Sequence, residues 1–153
     1  MKLHLAGPAL AFAGLLASAT PALSQDAHLV TAAEIQAKVA TLKDGVANPF
    51  LPTAPGSLFL AVRRDRTGDA EVHAKHHDQF VAQQGRAKVI VGGTLAGQRQ
   101  TAEGEWRGGQ ITGGRTYDLA PGDTLFIPAG QPHQVLVPAG GDFLYLVAKF
   151  DAK

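Results

Sequence analysis

The chain has 153 residues, of which 45% are hydrophobic, so it is long enough to bury the core of one globular domain. Its 14 basic and 13 acidic side chains are interspersed and give a net charge of +1. No run of Lys or Arg is present, so we predict no nucleic-acid partner. Cysteine is absent, which excludes disulfides, thiolate ligands and thiol nucleophiles.

The first 24 residues have the pattern of a secretory signal peptide. Met1-Lys2 gives a positive start, residues 3–19 are mainly apolar, and Ala22-Leu23-Ser24 places small residues at a cleavage site before Gln25. The alternative is an uncleaved membrane anchor, which is disfavoured because the run is short and rich in Ala and Gly. The sequence therefore predicts a secreted or periplasmic protein without membrane contact after cleavage.

One helix is predicted soon after the cleavage site. Thr31 and Glu34 have the spacing of a capping box. Apolar residues then recur at helical intervals up to Gly45, namely Ile35, Val39 and Leu42. The pattern favours an amphipathic helix lying on the rest of the domain over a helix that binds a partner. A Pro-rich connector, residues 48–56, follows it, so residues 25–56 are assigned to the helix and connector.

Residues 57–153 have the character of an all-β domain. Short apolar runs alternate with Gly, Pro, Asn and Asp, as in an antiparallel sandwich or barrel. The predicted strands are Ser57–Arg64, Glu71–Lys75, Gln79–Gln83, Arg86–Val91, Gln110–Ile111, Arg115–Leu119, Thr124–Ile127, Gln134–Val137 and Phe143–Phe150. Residues 94–114 are predicted to form a long polar loop around Trp106. This loop is interpreted either as a lid or wall of a substrate site or as a solvated loop whose Trp106 plugs the barrel end.

Two groups of ligand-type side chains stand out. Because strand side chains alternate, Glu71, His73 and Lys75 share one face. A turn at His76-His77 would then bring Asp78 onto a neighbouring strand, on one face with Phe80 and Ala82. His133 follows a turn-rich segment, residues 122–132, and starts a distant strand. These groups indicate a metal held between strands of a small barrel.

The chain resembles a single-domain member of the cupin superfamily, a double-stranded β-helix (jelly-roll) barrel. The second cupin motif, Gly-x5-Pro-x-Gly-x2-His-x3-Asn, is matched by Gly122, Pro128, Gly130 and His133, with Val137 at its last position. The first motif is matched more loosely. Gly85 closes it, Asp78 stands at its glutamate, and Glu71 and His73 stand at its two histidines.

The resemblance implies a divalent metal bound by Glu71, His73, Asp78 and His133. Cupin sites usually have three histidines and one glutamate, so this chain departs from the pattern. His77 would replace Asp78 if the turn before it were bent. Two imidazoles with carboxylates suit Fe, Mn or Zn, and the sequence does not choose among them.

The resemblance also implies an enzyme acting on a small organic molecule by dioxygenase, isomerase or lyase chemistry. Two alternatives remain: a barrel that binds a small ligand without catalysis, and a barrel whose metal site has decayed. Apolar residues expected to line the site are Phe80, Ile127, Val135, Phe126 and Tyr145. Proteins that resemble cupins commonly pair their sheets, so a homodimer is a further expectation.

Overall fold

The computed structural model describes residues 27–55 and 57–152. The predicted signal peptide, residues 1–24, lies outside this part of the chain and stays a prediction. Within the described ranges, no helix is both long and apolar enough to cross a membrane.

The described residues form one short helix and thirteen strands. In chain order these are α1 (Ala32–Lys38), β1 (Val46–Ala47), β2 (Leu58–Arg64), β3 (Glu71–His73), β4 (His76–Gln84), β5 (Ala87–Val91), β6 (Thr94–Ala96), β7 (Arg99–Ala102), β8 (Glu105–Arg107), β9 (Gln110–Thr112), β10 (Arg115–Leu119), β11 (Thr124–Ile127), β12 (His133–Leu136) and β13 (Phe143–Asp151).

Two antiparallel sheets build the barrel. The five-stranded sheet has the order β1-β2-β13-β4-β11, and the six-stranded sheet has the order β10-β5-β12-β3-β8-β7. Apolar side chains from both sheets alternate inward and pack into one core, which includes Val62, Phe80, Val89, Ile127, Val135, Phe143, Tyr145 and Val147. The architecture is the predicted all-β, double-stranded β-helix barrel with one N-terminal helix.

The helix α1 begins as predicted but is shorter. Thr31 accepts a hydrogen bond from the Glu34 backbone, and the Glu34 carboxylate accepts one from the Thr31 backbone, so the capping box is present. The helix ends at Lys38 because Val39 leaves helical geometry. Val39 is instead fully buried in a second apolar cluster with Ala61 and Leu144, where this end of the chain covers the outer face of the five-stranded sheet.

The predicted strand at Gln110–Ile111 is present as β9, but the prediction of a long loop around it is wrong, because the segment 94–114 also contains β6, β7 and β8. β6 and β9 pair with each other, whereas β7 and β8 extend the six-stranded sheet beyond β3. A tight turn at Gly108-Gly109 makes the step from β8 to β9; a Cβ on Gly109 would lie 2.3 Å from the Ala96 carbonyl. The segment from β6 to β9 therefore consists of paired strands that extend the barrel wall.

Trp106 neither forms a lid nor plugs the barrel. It is half-buried in β8, opposite Val72 of β3 and Gln100 of β7. Its neighbours Glu105 and Arg107 reach into the barrel, so alternation turns the indole to the outer face of the sheet. The predicted turn also shifts: it lies at Ala74-Lys75, and His76 already begins β4.

Candidate metal centre

The four predicted motif residues meet inside the barrel. Glu71 and His73 come from β3 and His133 from β12, both in the six-stranded sheet, whereas Asp78 comes from β4 of the facing sheet. His73, Asp78 and His133 are the buried polar residues of the described core, with 2–3% of their surface exposed. Glu71 is opposite His133 across the β3–β12 ladder.

The ligand-type atoms converge on a common point. His73 Nε2 lies 3.3 Å from Glu71 Oε2 and 3.4 Å from Asp78 Oδ2, and His133 Nε2 lies 3.5 Å from the same Asp78 oxygen. Ligand atoms about 2.1 Å from a tetrahedral ion stand about 3.4 Å from one another. Glu71, His73 and His133 have ligand atoms that all lie within 4.8 Å of each other; Asp78 is not part of this mutual set, although its Oδ2 lies within 3.5 Å of both Nε2 atoms. The spacing therefore fits a divalent ion.

The outer nitrogens of the two histidines are held by hydrogen bonds. His73 Nδ1 lies 2.5 Å from Glu105 Oε2, and His133 Nδ1 lies 3.1 Å from the Gln131 carbonyl. Since a carboxylate and a carbonyl accept hydrogen bonds, each Nδ1 carries a proton, and in the neutral form of each imidazole Nε2 keeps its lone pair. This orientation of the imidazole by a partner on its other nitrogen is the arrangement found around metal-ligating histidines.

Cations occupy the outer oxygens of the two carboxylates. Lys149 Nζ donates to Asp78 Oδ1 at 2.6 Å. Arg107 and Arg64 both donate to Glu71 Oε1. The inner oxygens, Glu71 Oε2 and Asp78 Oδ2, remain turned toward the histidines.

The surroundings of His73 Nε2 show whether a metal fits the site. It is buried and has no hydrogen-bond partner among the described residues, although Glu71 Oε2 lies 3.3 Å away. A buried lone pair that faces carboxylate oxygens is unfavourable unless a proton or a metal cation lies between them. The donor set of imidazoles and carboxylates suits such a cation, so the residues present fit a divalent metal.

The protonation of these groups follows from their surroundings. Burial raises the pKa of Glu71, but His73, Arg107, His133 and Arg64 outweigh it and hold that pKa at about 2. Burial lowers the pKa of His133, which keeps this imidazole neutral. Burial also lowers the pKa of His73, but the surrounding carboxylates reverse the effect and raise it. Glu71 and His133 are thus in the forms that a metal requires.

His77 is outside the cluster, so the expectation that it would replace Asp78 is corrected. In β4 the side chains alternate, and Asp78 faces inward. His77 therefore faces outward, where its Nδ1 accepts a hydrogen bond from the Ala129 backbone at 2.9 Å and its ring packs against Phe126. A strand that starts one residue before His77 leaves no bend to bring it in. Lys75 also stays outside and pairs with exposed Glu103.

Sequence reasoning missed the side chains that support the cluster, namely Arg64, Glu105, Arg107 and Lys149. Glu105 and Arg107 flank Trp106, and their alternation would have placed them on the Glu71 face had β8 been recognised as a strand. Lys149 shares the inner face of β13 with Tyr145 and Val147, so strand periodicity could have placed it there.

Three cavities adjoin the cluster, and the smallest, of about 10 Å³, lies beside Glu71 and His133. A cavity of about 70 Å³ lies beside Glu71 and Asp78, and its wall combines charged side chains with Phe80 and Tyr145. A larger, polar cavity of about 570 Å³ shares Glu71 with it and opens toward the surface. Val135 lines the smallest cavity, as expected. Two expectations for the lining are wrong: Ile127 belongs to the core and lines none of these cavities, and Phe126 is 51% exposed on the outside.

The fold is shared with several solved structures. A conserved protein with a double-stranded β-helix domain from Klebsiella pneumoniae aligns over 84% of this chain and 99% of its own, with TM-score 0.58 and 12% identity. TT1209 from Thermus thermophilus aligns over 76% and 93%, with TM-score 0.57 and 19% identity. KdgF from Halomonas sp. aligns over 74% and 84%, with TM-score 0.53 and 17% identity. At these identities the likeness concerns the fold.

No curated protein matches the sequence. A family model described as the AraC-like ligand binding domain matches residues 72–153, which include His73, Asp78 and His133. That range is more than half of the chain. The match and the shared barrel lead to one conclusion: this chain is a small, single-domain protein of the cupin superfamily and belongs to the family of AraC-like ligand-binding domains.

Proposed function

We propose that this protein binds one divalent metal ion through Glu71, His73, Asp78 and His133 and acts on a small polar molecule at that ion. The supporting observation is the buried His73 Nε2, which has no hydrogen-bond partner among the described residues and faces two carboxylate oxygens. A divalent ion at this place would supply a Lewis acid that polarises an oxygen of the bound molecule. Dioxygenase, isomerase and lyase reactions all remain within this proposal.

The surrounding side chains have separate tasks. Glu105 orients His73, and Lys149 holds the outer oxygen of Asp78, so both ligands are fixed before the ion arrives. Phe80 and Tyr145 form an apolar floor beneath the charged groups. A dry wall of this kind lowers the local dielectric and strengthens each electrostatic interaction above it.

Metal analysis tests the proposal. The purified protein is loaded separately with Fe(II), Mn(II) and Zn(II), dialysed, and its metal content measured. We expect about one ion per chain for at least one metal, loss of this ion in His133→Ala, and retention in His77→Ala, since His77 faces outward. Absence of bound metal under all three conditions would contradict the proposal and support a decayed site.

A second candidate is a binding protein without catalysis, which the match to a ligand-binding-domain family favours. Incubation of the metal-loaded protein with a panel of small organic acids, followed by mass spectrometry of the small-molecule fraction and by oxygen-electrode recording, separates the two. Product formation that is lost in His133→Ala supports an enzyme. Recovery of every bound molecule unchanged supports the binding protein.

We also propose that the protein is exported and that residues 1–24 are removed. Expression in a Gram-negative host, fractionation and N-terminal sequencing test this, with Gln25 expected as the first residue of the periplasmic form. A cytoplasmic product that still begins at Met1 would contradict it. The homodimer stays a prediction, and sedimentation velocity measures it.

A further inference from the structure

The larger cavity has an unusual wall. Of its twelve lining residues Val46 is the one aliphatic side chain, and four are arginines: Arg64, Arg66, Arg99 and Arg107. Its volume of about 570 Å³ lies within the range of small-molecule sites. A wall of this kind suits a hydrophilic anion rather than an apolar ligand.

Two of the arginines stand directly opposite each other. Arg99 of β7 and Arg107 of β8 are register partners, and both line the cavity. Like charges at directly opposed positions of an antiparallel ladder are destabilising. Glu71 beside Arg107 and Asp69 at 3.7 Å from Arg99 offset part of this repulsion, and an anion between the two guanidinium groups would reduce it further.

The arginine pair belongs to a continuous cross-strand row. Arg107 is opposite Glu71 of β3, and Glu71 is opposite His133 of β12. A row of cross-strand neighbours therefore leads from the cavity to the candidate metal centre, in the order Arg99, Arg107, Glu71 and His133. Since neighbouring strands are about 4.8 Å apart, the step from Arg107 to His133 spans about 10 Å, which a small extended molecule can bridge.

Donor groups of these arginines remain available. Arg99 makes no side-chain hydrogen bond within the described ranges, and its nearest carboxylate, Asp69, is 3.7 Å away. Arg107 uses Nη1 on Glu71, which leaves its Nε and Nη2 without a partner in this part of the chain. A guanidinium has five N–H donors in a planar fork that matches a carboxylate.

The guanidinium of Arg64 occupies space that the absence of a side chain at Gly68 leaves open. A Cβ on Gly68 would lie 2.5 Å from Arg64 Nη1, so the guanidinium lies directly on this residue. Arg64 also donates to Tyr145 and Glu71. Arg64 is therefore a fixed part of the cavity wall. Arg99 and Arg107 are the arginines whose N–H donors remain available for a ligand.

The charge of the lining limits the ligand. Four arginines against Asp44, Asp69 and Glu71 leave a net charge of +1, which one carboxylate neutralises and a phosphate dianion exceeds. The remaining wall offers oxygen atoms from Asn48, Thr67 and the aspartates, which suit hydroxyl groups. We propose that the cavity binds a hydroxylated carboxylic acid, with its carboxylate between Arg99 and Arg107 and its hydroxyl end toward Glu71 and His133.

The proposed position of the carboxylate depends only on Arg99 and Arg107. The proposed position of the hydroxyl end rests on the proposed metal function. Calorimetric titrations compare glycerate, threonate and gluconate with the polyols of the same chain length, glycerol, threitol and glucitol. Glucitol 6-phosphate provides the phosphate comparison. Each titration is made with EDTA and again with the loaded metal. The variants are Arg99→Gln and, as a matched control on β10, Arg115→Gln, since Arg115 is an exposed strand arginine outside the cavity.

We expect at least one acid to bind more tightly than its polyol and than the phosphate ester. We further expect Arg99→Gln to weaken the acid about tenfold with no change for the polyol, while Arg115→Gln binds as the unmodified protein does. Equal affinity for every acid and its polyol, tighter binding of the phosphate, or an unaltered Arg99→Gln would overturn the inference. A preference for the acid in EDTA together with no metal binding would overturn the proposed function and leave the carboxylate site standing.

Discussion

Glu105 decides which nitrogen of His73 faces the other residues of the candidate metal centre. Its carboxylate lies 2.5 Å from His73 Nδ1 and does not itself belong to the converging set. The neighbouring acid, Glu103, is exposed and pairs with Lys75. The chain therefore offers two glutamates of similar position and very different role.

Replacing Glu105 is expected to weaken metal binding without removing a ligand. Loss of an outer partner of a ligating histidine typically costs about 10–100-fold in metal affinity, so Glu105→Ala should fall in this range. Glu105→Gln should recover part of the loss because its amide oxygen still accepts the Nδ1 proton. Competition titration against a chromogenic chelator measures the affinities. Glu103→Ala is the control, and an equal loss in that variant would show that the effect is not specific to His73.

Two motif glycines differ in what their surroundings allow. Gly85 has φ of 72°, and a Cβ there would lie 1.8 Å from the Asp142 carbonyl. Gly130 has φ of 78°, but no heavy atom stands within 4 Å of the position that a Cβ would take. A side chain at Gly130 would therefore be disfavoured only by the positive φ, whereas a side chain at Gly85 would also clash with the Asp142 carbonyl.

Urea unfolding of two alanine variants measures this difference. Gly130→Ala should lower the free energy of unfolding by about 1–2 kcal/mol, the cost of a side chain in the left-handed region. Gly85→Ala should lower it by about 2–5 kcal/mol, because the overlap with Asp142 is added. A Gly85→Ala variant as stable as Gly130→Ala would contradict the close approach.

At the scale of elements, Arg63 joins the end of α1 to the barrel. Its guanidinium makes a bidentate pair with Asp142, before β13, and donates to the carbonyls of Val39 and Ala40. The hydrogen bond from Arg63 lowers the pKa of Asp142 below its ordinary value of 3.8. The ionised carboxylate therefore stabilises the folded chain.

Asp142→Asn should consequently destabilise the protein in a pH-dependent manner. A group whose pKa is lowered on folding contributes fully above its unfolded-state pKa, and the contribution is lost as pH falls through the folded-state value. Because the pair is solvent-screened, we expect a loss of about 0.5–1 kcal/mol, equal at about pH 7 and pH 5 and smaller at about pH 3. Urea titrations of both proteins at the three pH values measure this. A difference that stays constant over the whole range would rule out the ion pair as its origin.

Local signals were the ones that could be read from the sequence. The capping box at Thr31 involves residues three apart, and the alternation of Asp78, Phe80 and Ala82 needs only one strand. β7 is wholly exposed and lacks the alternation that marks a half-buried strand, whereas β6 and β8 have only three residues each, too few for a pattern to be recognised. Glu105 and Arg107 could not be assigned to the site because β8, which carries them, has only three residues. The choice between His77 and Asp78 depended on where β4 starts, since a shift of one residue exchanges the two faces of a strand.

At the scale of the molecule, the proposed ligands come from both sheets. Glu71, His73 and His133 project from the six-stranded sheet, and Asp78 projects from the five-stranded sheet. A bound ion would therefore link the two layers of the barrel in a chain that has no disulfide to do so.

Metal loading should accordingly raise the melting temperature. An ion at a free concentration about 100 times its Kd stabilises the folded state by about 2.7 kcal/mol. His133→Ala should lose this gain, and Asp78→Asn should retain a smaller part, since the six-stranded sheet still offers three ligands. Differential scanning calorimetry with metal and with EDTA measures the gains. An undiminished gain in Asp78→Asn would show that the link between the sheets does not involve this carboxylate.

The inner row of β13 changes character along its length, from Phe143 and Tyr145 through Val147 to Lys149. Its first end packs the core, and its last residue holds Asp78. Mutational tolerance should divide along this same line: substitutions at the apolar end alter how firmly the barrel holds together, and those at the charged end alter what it recognises. Related proteins could therefore differ in the ligand that they bind while they keep the same barrel.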